Sequence, residues 1–435
     1  MSQTLKAVRG TRDLLPPETA LWNRIESTAR SVFARYNFGE IRTPIFEDTA
    51  LFARSVGEET DIVSKEMYTW EDRARAQSEK TQSLTLRPEN TAGVVRAYIE
   101  HGLGESGQLQ KLFYIGPQFR RERPQKGRYR QFAQIGAEVL GPPSSGSESP
   151  LRDAEILEML ATLLDELGIT GWILELNSVG SAASRARYNE QLRTALVQNQ
   201  EKMCEDCQRR AVTNPLRVLD CKVPADQPII ETLPRIGDSL DQESEKHFAA
   251  VTAALDAAGV PYKLNHRLVR GLDYYTRTTF EFTHGGLGAQ NALLGGGRYD
   301  GLSESLGGPK APGIGFAIGE DRLVLTLMAA LNQKSAAPQV PQAQQADAFI
   351  APLGETLNPA ALVLARELRH KGLWIELGEG GFRLKKSFDA AEKTARRIVI
   401  LGEDELQSGI LTVKTFSTGI QTKVPRAELA VFLSE

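Results

Sequence analysis

The sequence predicts an α+β fold for about its first three quarters and a smaller α/β unit for the remainder. Three observations carry that reading. Strand-like runs such as KLFYIG and QFAQIGAEVL (residues 111–116 and 131–140) follow one another at hairpin spacing, with helical runs outside them. The stretch NQKSAAPQVPQAQQA (332–346) is rich in Ala, Gln and Pro and has no apolar face to bury, so it marks a boundary. Beyond it, DAFIAPL, AALVLARELRHKG, LWIEL, FDAAEKTA, RRIVILG and GILTVKT alternate strand and helix at short intervals. A chain of 435 residues, 41% hydrophobic and 25% charged, is long enough for more than one packed core.

Along the chain, Leu21, Ile25, Ala29, Val32 and Phe33 recur at helical spacing after Pro16-Pro17 and predict a helix from Glu18 to Tyr36. EIRTPIFED (40–48) reads as a strand interrupted by Pro44, which suits an edge or a subunit contact. LRDAEILEMLATLLDELGI is a helix and WILELNSVG a strand, and helical segments with a cysteine cluster occupy roughly 178–259 as an inserted module. The catalytic-sized core is therefore expected over 1–331, with 332–346 as linker and 347–435 as the second domain. A pI near 6.1 and a net charge of −3 exclude a binder that works by overall positive charge. No run is apolar enough to span a bilayer, so no membrane partner and a cytoplasmic location are expected. Three cysteines in a chain this long do not indicate a disulfide framework.

The charge is local. FRRERPQKGRYR (119–130) places Arg120, Arg121, Arg123, Lys126, Arg128 and Arg130 on one loop. Arg120 and Arg128 stand on the two arms of that loop and suit a triphosphate, because guanidinium groups bind phosphate oxygens bidentately and stay charged. No phosphate loop of the G-x-x-x-x-G-K-[ST] kind occurs. In the strand that follows, Gln134 and Glu138 share one face by the period of two. In LRPENT, Glu89 and Thr91 stand before a helix, where capping is the ordinary role. Tyr274 and Tyr275 in RGLDYY are read as strand residues facing opposite ways, so that at least one lines a site; GGGRYDGL reads equally as a phosphate cradle or as a strand at close backbone approach. Arg322 stands at the start of a helix. Cys204, Cys207 and Cys221 make a CxxC with one later thiol, a weak zinc pattern lacking an obvious fourth ligand.

In order, RGTRDLLP, LRPENT, FYIGPQFRRERPQKGRYRQFAQIGAEVLG, LVRGLDYY and GIGFAIGEDRL resemble the class II aminoacyl-tRNA synthetases, and RGLDYY resembles the histidyl-tRNA synthetase branch. The resemblance covers nearly the whole chain, the last domain being similar to the family's anticodon-binding domain. It implies an antiparallel sheet flanked by helices, a homodimer formed through the first helix and EIRTPIFED, and an enzyme that uses ATP with Mg2+ to join L-histidine to tRNA-His. It also implies residue roles. Arg120 would hold the α-phosphate, Glu122 and Arg128 the adenosine and outer phosphates, and Arg322 the γ-phosphate. Glu89, Thr91 and Gln134 would receive the amino group, Glu138 and Tyr275 with Tyr274 the imidazole, and Arg270 the charge developing at the α-phosphate. Arg123 and Gln125 would meet the tRNA acceptor end. Asn90 stands where many members have glycine, and Thr276 follows RGLDYY where asparagine is usual. A non-catalytic relative, the histidine-sensing regulatory subunit of ATP phosphoribosyltransferase, keeps the core but lacks the C-terminal domain.

Overall fold

The computed structural model describes residues 4–57, 60, 62–72, 81–125, 127–269, 274–287, 291–334 and 345–435. They fall into two units, Met1–Pro341 and Gln342–Glu435.

In the first unit, α1 (Glu18–Arg35) is followed by β1 (Gly39–Glu40), β2 (Phe46–Asp48), α2 (Thr49–Val56), β3 (Tyr68–Asp72), β4 (Gln82–Leu86) and α3 (Thr91–Glu100). EIRTPIFED is thus not one interrupted strand. Its ends belong to different sheets, because Pro44 separates β1, which pairs in parallel with β5 (Gln110–Phe119), from β2, which pairs with β4. The long hairpin of β5 and β6 (Gln131–Leu140) leads to α4 (Pro150–Leu167) and β7 (Trp172–Ser178). A helical layer then holds α5 (Ala182–Val197), α6 (Glu205–Thr213) and α7 (Gln227–Glu231), after which come α8 (Gln242–Ala258), β8 (Tyr262–Leu264), β9 (Thr276–His284), β10 (Ala292–Arg298), α9 (Leu302–Ser305), β11 (Gly313–Gly319) and α10 (Glu320–Lys334).

The main sheet runs β1-β5-β6-β11-β10-β9-β7-β8, antiparallel through its six inner strands with one parallel strand at each edge. Side chains alternate across it. Ile135, Ala137 and Val139 of β6, Phe280 and Phe282 of β9, and Ile314, Phe316 and Ile318 of β11 join a core with α1, α4, α8 and α10. Gln134 and Glu138 therefore point to the opposite face, as do Tyr114 of β5 and Glu281 and Thr283 of β9. The glycines of β10 are explained by close approach: a Cβ on Gly296 would lie 2.1 Å from the Gly315 carbonyl oxygen, and one on Gly297 2.6 Å from that of Thr278. GGGRYDGL is a packed strand rather than a phosphate cradle.

A fully buried ionic knot ties this layer. Asp153 of α4 accepts bonds from Arg298 Nε (2.8 Å) and Thr278 Oγ1 (2.6 Å) and lies 2.8 Å from His247 Nε2 of α8. Burial would raise the Asp153 pKa, but the Arg298 charge and the hydrogen bonds prevail and it is lowered.

Residues 179–236 carry a small core of their own, including Tyr188, Leu192, Val218 and Ile236. α8 lies within the stretch expected for the inserted module, yet its Val251 and Leu255 join the main core. The layer is closed at its stem, where Ser181 Oγ and Ser184 Oγ each donate to Asp241 Oδ2 at 2.6 Å. α10 continues to Lys334, three residues into the expected linker; residues 335–344 of that linker lie outside the described residues.

The second unit contains β12 (Ala348–Pro352), α11 (Asn358–His370), β13 (Ile375–Leu377), α12 (Leu384–Thr394), β14 (Arg397–Leu401), α13 (Glu403–Ser408), β15 (Ile410–Thr415), β16 (Gln421–Pro425) and α14 (Leu429–Ser434). Its sheet, β13-β12-β14-β15-β16, is parallel over the first three strands and antiparallel thereafter. Among the described residues, no helix of the chain is long and apolar enough to cross a membrane.

Candidate active site

The β5–β6 loop does not splay into solvent. Gln125 and Arg128 exchange backbone hydrogen bonds of 3.1 and 2.9 Å around Gly127, whose φ of +76° suits the turn. The N-terminal segment lies against it: the Arg130 amide donates to the Gly10 carbonyl at 2.7 Å, and a Cβ on Gly10 would meet the Arg130 and Pro124 side chains at 2.8 Å. Arg123 and Gln125 remain exposed at the tip, while Lys126 lies outside the described residues.

Behind the loop is a cavity of about 930 Å3, lined by Arg120, Glu122, Arg128, Gln134 and Arg322. Arg120 is aimed by its Nε, which donates to the Pro88 carbonyl at 2.9 Å, and its guanidinium carbon lies 5.2 Å from the Phe132 ring centre. Arg128 lies 3.4 Å from Glu122, and Arg322 Nη1 donates to the Ala292 carbonyl at 2.5 Å. The helical layer faces the same cavity with Arg210, Arg217 and Lys222, a link invisible in local sequence because the layer lies far along the chain.

Glu89 and Glu138 form the adjoining polar group. Glu89 accepts from the amides of Thr91 (2.7 Å) and Ala92 (3.0 Å), so it does cap α3. The two oxygens of Glu138 are taken separately, Oε1 by Thr91 Oγ1 and Oε2 by the Tyr299 hydroxyl, each at 2.7 Å. Among the described residues, no arginine pairs with it. Burial pushes Glu138 up to about 8 against those two hydrogen bonds, with the Glu89 charge adding to the shift. Burial likewise raises Glu89, opposed by the two amides and by Arg120. Among the described residues the buried Tyr114 hydroxyl has no partner within hydrogen-bond geometry, and burial with the nearby carboxylates holds its pKa well above the usual tyrosine value.

Tyr274 and Tyr275 do not face opposite ways. They precede β9 in non-strand backbone, with ring centres 4.8 Å apart. Tyr274 meets Tyr299 edge-on at 5.9 Å, whereas Tyr275 borders a second cavity beside the helical layer, where its carbonyl accepts from Arg185. Arg270 lies outside the described residues. Asn90 has φ −121° and ψ −13°, backbone open to any residue, so the position does not require glycine. Sequence reasoning missed Tyr299, Tyr114 and Arg87. The last is structural: it donates to the carbonyls of Thr43 (3.0 Å) and Pro117 (2.9 Å) and is not aimed at phosphate.

Residues 10–323 match the family model described as histidyl-tRNA synthetase, and 347–435 match that of an anticodon binding domain. The chain belongs to the histidyl-tRNA synthetase family. It is 71% identical over 430 residues to the histidine–tRNA ligase of Koribacter versatilis, covering 99% of this chain and 96% of the relative. It is 54% identical to that of Solibacter usitatus, covering 99% of each. Among solved structures it is similar to the apo histidyl-tRNA synthetase of S. aureus, with TM-score 0.79 and 36% identity over 99% of this chain and 100% of that one.

Proposed function

We propose that the arginine-lined cavity and the adjoining glutamate–tyrosine pocket are the two halves of one aminoacylation site. The protein is a histidine–tRNA ligase, which makes histidyl-adenylate from histidine and ATP and transfers the histidyl group to the 3′ adenosine of tRNA-His. The shared face of β6 carries the site reading: Gln134 lines the cavity, and Glu138, four residues on, lies in the pocket.

The histidine carboxylate attacks the α-phosphorus of ATP and pyrophosphate leaves. The tRNA hydroxyl then attacks the adenylate carbonyl and AMP leaves. Neither step needs a nucleophilic side chain. Arg120 and Arg270 supply fixed positive charge at the α-phosphate, Arg128 and Arg322 hold the outer phosphates, and Glu122 meets the adenosine. Glu89 and Gln134 take the ammonium group with Thr91 beside them; Glu138 and the tyrosines read the imidazole. Glu122 and Glu281 on the cavity wall are oxygen donors of the kind that would hold magnesium, which would be bound with ATP and would neutralise phosphate charge. Arg123 and Gln125 meet the acceptor end, and 347–435 binds the anticodon. Exposed Ile45 and Phe46, with Trp70 6.1 Å from Phe46, suit a homodimer contact, and the cytoplasm is the setting for this chemistry.

Histidine-dependent ATP–pyrophosphate exchange, with each substrate varied separately, tests the division. Glu138→Gln should lose about 1.5 to 3 kcal/mol in kcat/KM for histidine and leave ATP use nearly unchanged. Arg120→Ala should instead cost ATP use, and a Glu138→Gln defect confined to ATP would overturn the reading.

A further inference from the structure

The helical layer contains a side-chain group that adenylate chemistry does not use. Cys204 caps the start of α6, Cys207 is the third residue of that helix, and Cys221 follows the next turn. The fold brings their thiols together with the Asp226 carboxylate, all four ligand atoms lying within 4.8 Å of one another. Cys204 and Cys221 sulfurs are 3.9 Å apart, and Asp226 Oδ2 is 3.2 Å from the Cys221 sulfur. A tetrahedral zinc with bonds of about 2.3 Å to sulfur sets sulfur–sulfur edges of about 3.8 Å. We propose that Cys204, Cys207, Cys221 and Asp226 bind one structural Zn2+, with Asp226 as the fourth ligand that local sequence does not reveal.

Asp226 separates this site from ordinary cysteine packing. Buried free thiols behave as small hydrophobes and need no carboxylate among them. Asp226 is only 1% exposed, and among the described residues its partners are the Cys204 amide and the thiols, with no cation. A buried carboxylate without a countercharge is costly, and a metal ion supplies that charge. Surrounding bonds suit a closed site: the Val223 amide points at the Cys221 sulfur at 3.4 Å, and the Cys204 amide donates to Asp226 Oδ1 at 3.1 Å. Four protein ligands leave no open position, so the ion is structural. It would join α6 to the turn carrying Cys221 and Lys222, both of which line the cavity.

Metal counting on reduced full-length protein, purified without chelator and desalted, tests this without depending on the folding of a variant. About one zinc per chain is expected. Protein stripped of metal and refilled with Co2+ should show the intense visible bands of a tetrahedral cobalt thiolate. Asp226→Asn should lower zinc retention in competition with a chromogenic chelator, and Cys207→Ser should abolish the cobalt bands. Failure of both isolated and refilled protein to retain metal would overturn the proposal. So would a Cys204–Cys221 disulfide in the isolated protein, or undiminished zinc in a variant with all three cysteines replaced by serine.

Discussion

Burial makes Glu138 hold its proton to higher pH than an exposed glutamate would. Its pKa is raised from 4.5 to about 8, so between those values the folded chain binds a proton that the unfolded chain lacks. The contribution of this group to stability therefore declines as pH rises through that window. Urea midpoints followed from pH 5 to pH 9 should fall less for Glu138→Gln than for the unaltered chain. In exchange kinetics, kcat/KM for histidine should gain a limb near pH 8 that the same substitution removes. The Gln134–Glu138 pairing was legible because a strand repeats every two residues. Tyr299 was not, since its hydroxyl meets Glu138 across 161 residues of sequence. The tyrosine pair was misread because alternation applies only inside a strand, and both residues precede β9.

The β5–β6 hairpin was visible as an element, with apolar runs on both sides of a basic tip. What sequence could not show is that the tip is folded back on itself at Gly127 and lies against Gly10. Exposed Arg123 and Gln125 consequently sit apart from the cavity-lining Arg120 and Arg128. Replacing both tip residues with alanine should spare pyrophosphate exchange and reduce histidyl transfer to tRNA, as measured by single-turnover transfer from preformed adenylate. Equal loss in both assays would contradict the assignment. The knot of Asp153, Arg298 and His247 joins α4, β10 and α8 and was not foreseen, because its members are individually ordinary residues. Asp153→Ala leaves Arg298 buried without one of its countercharges and should cost about 3–5 kcal/mol in urea denaturation. Because the Asp153 pKa is lowered, its contribution is present above the ordinary aspartate range and is lost as pH falls below about 3.8.

The division into two units follows the break in apolar patterning near 332–346, and the C-terminal alternation of strand and helix is a local signal that survives folding. A chain ending within the linker should keep histidine-dependent exchange but charge tRNA-His poorly. Full charging by that truncated chain would count against the anticodon role of 347–435. The extent of the helical layer was harder to read, since α8 has the same character as its neighbours and only its packing on α4 assigns it to the core. The clasp of Ser181, Ser184 and Asp241 holds the two ends of that layer side by side. Topologically the residues between are an appendage: they leave and rejoin the host at one place, and no strand of the main sheet is drawn from them. Such a segment is free to lengthen, shorten or be exchanged over evolutionary time while the register of the catalytic strands stays the same.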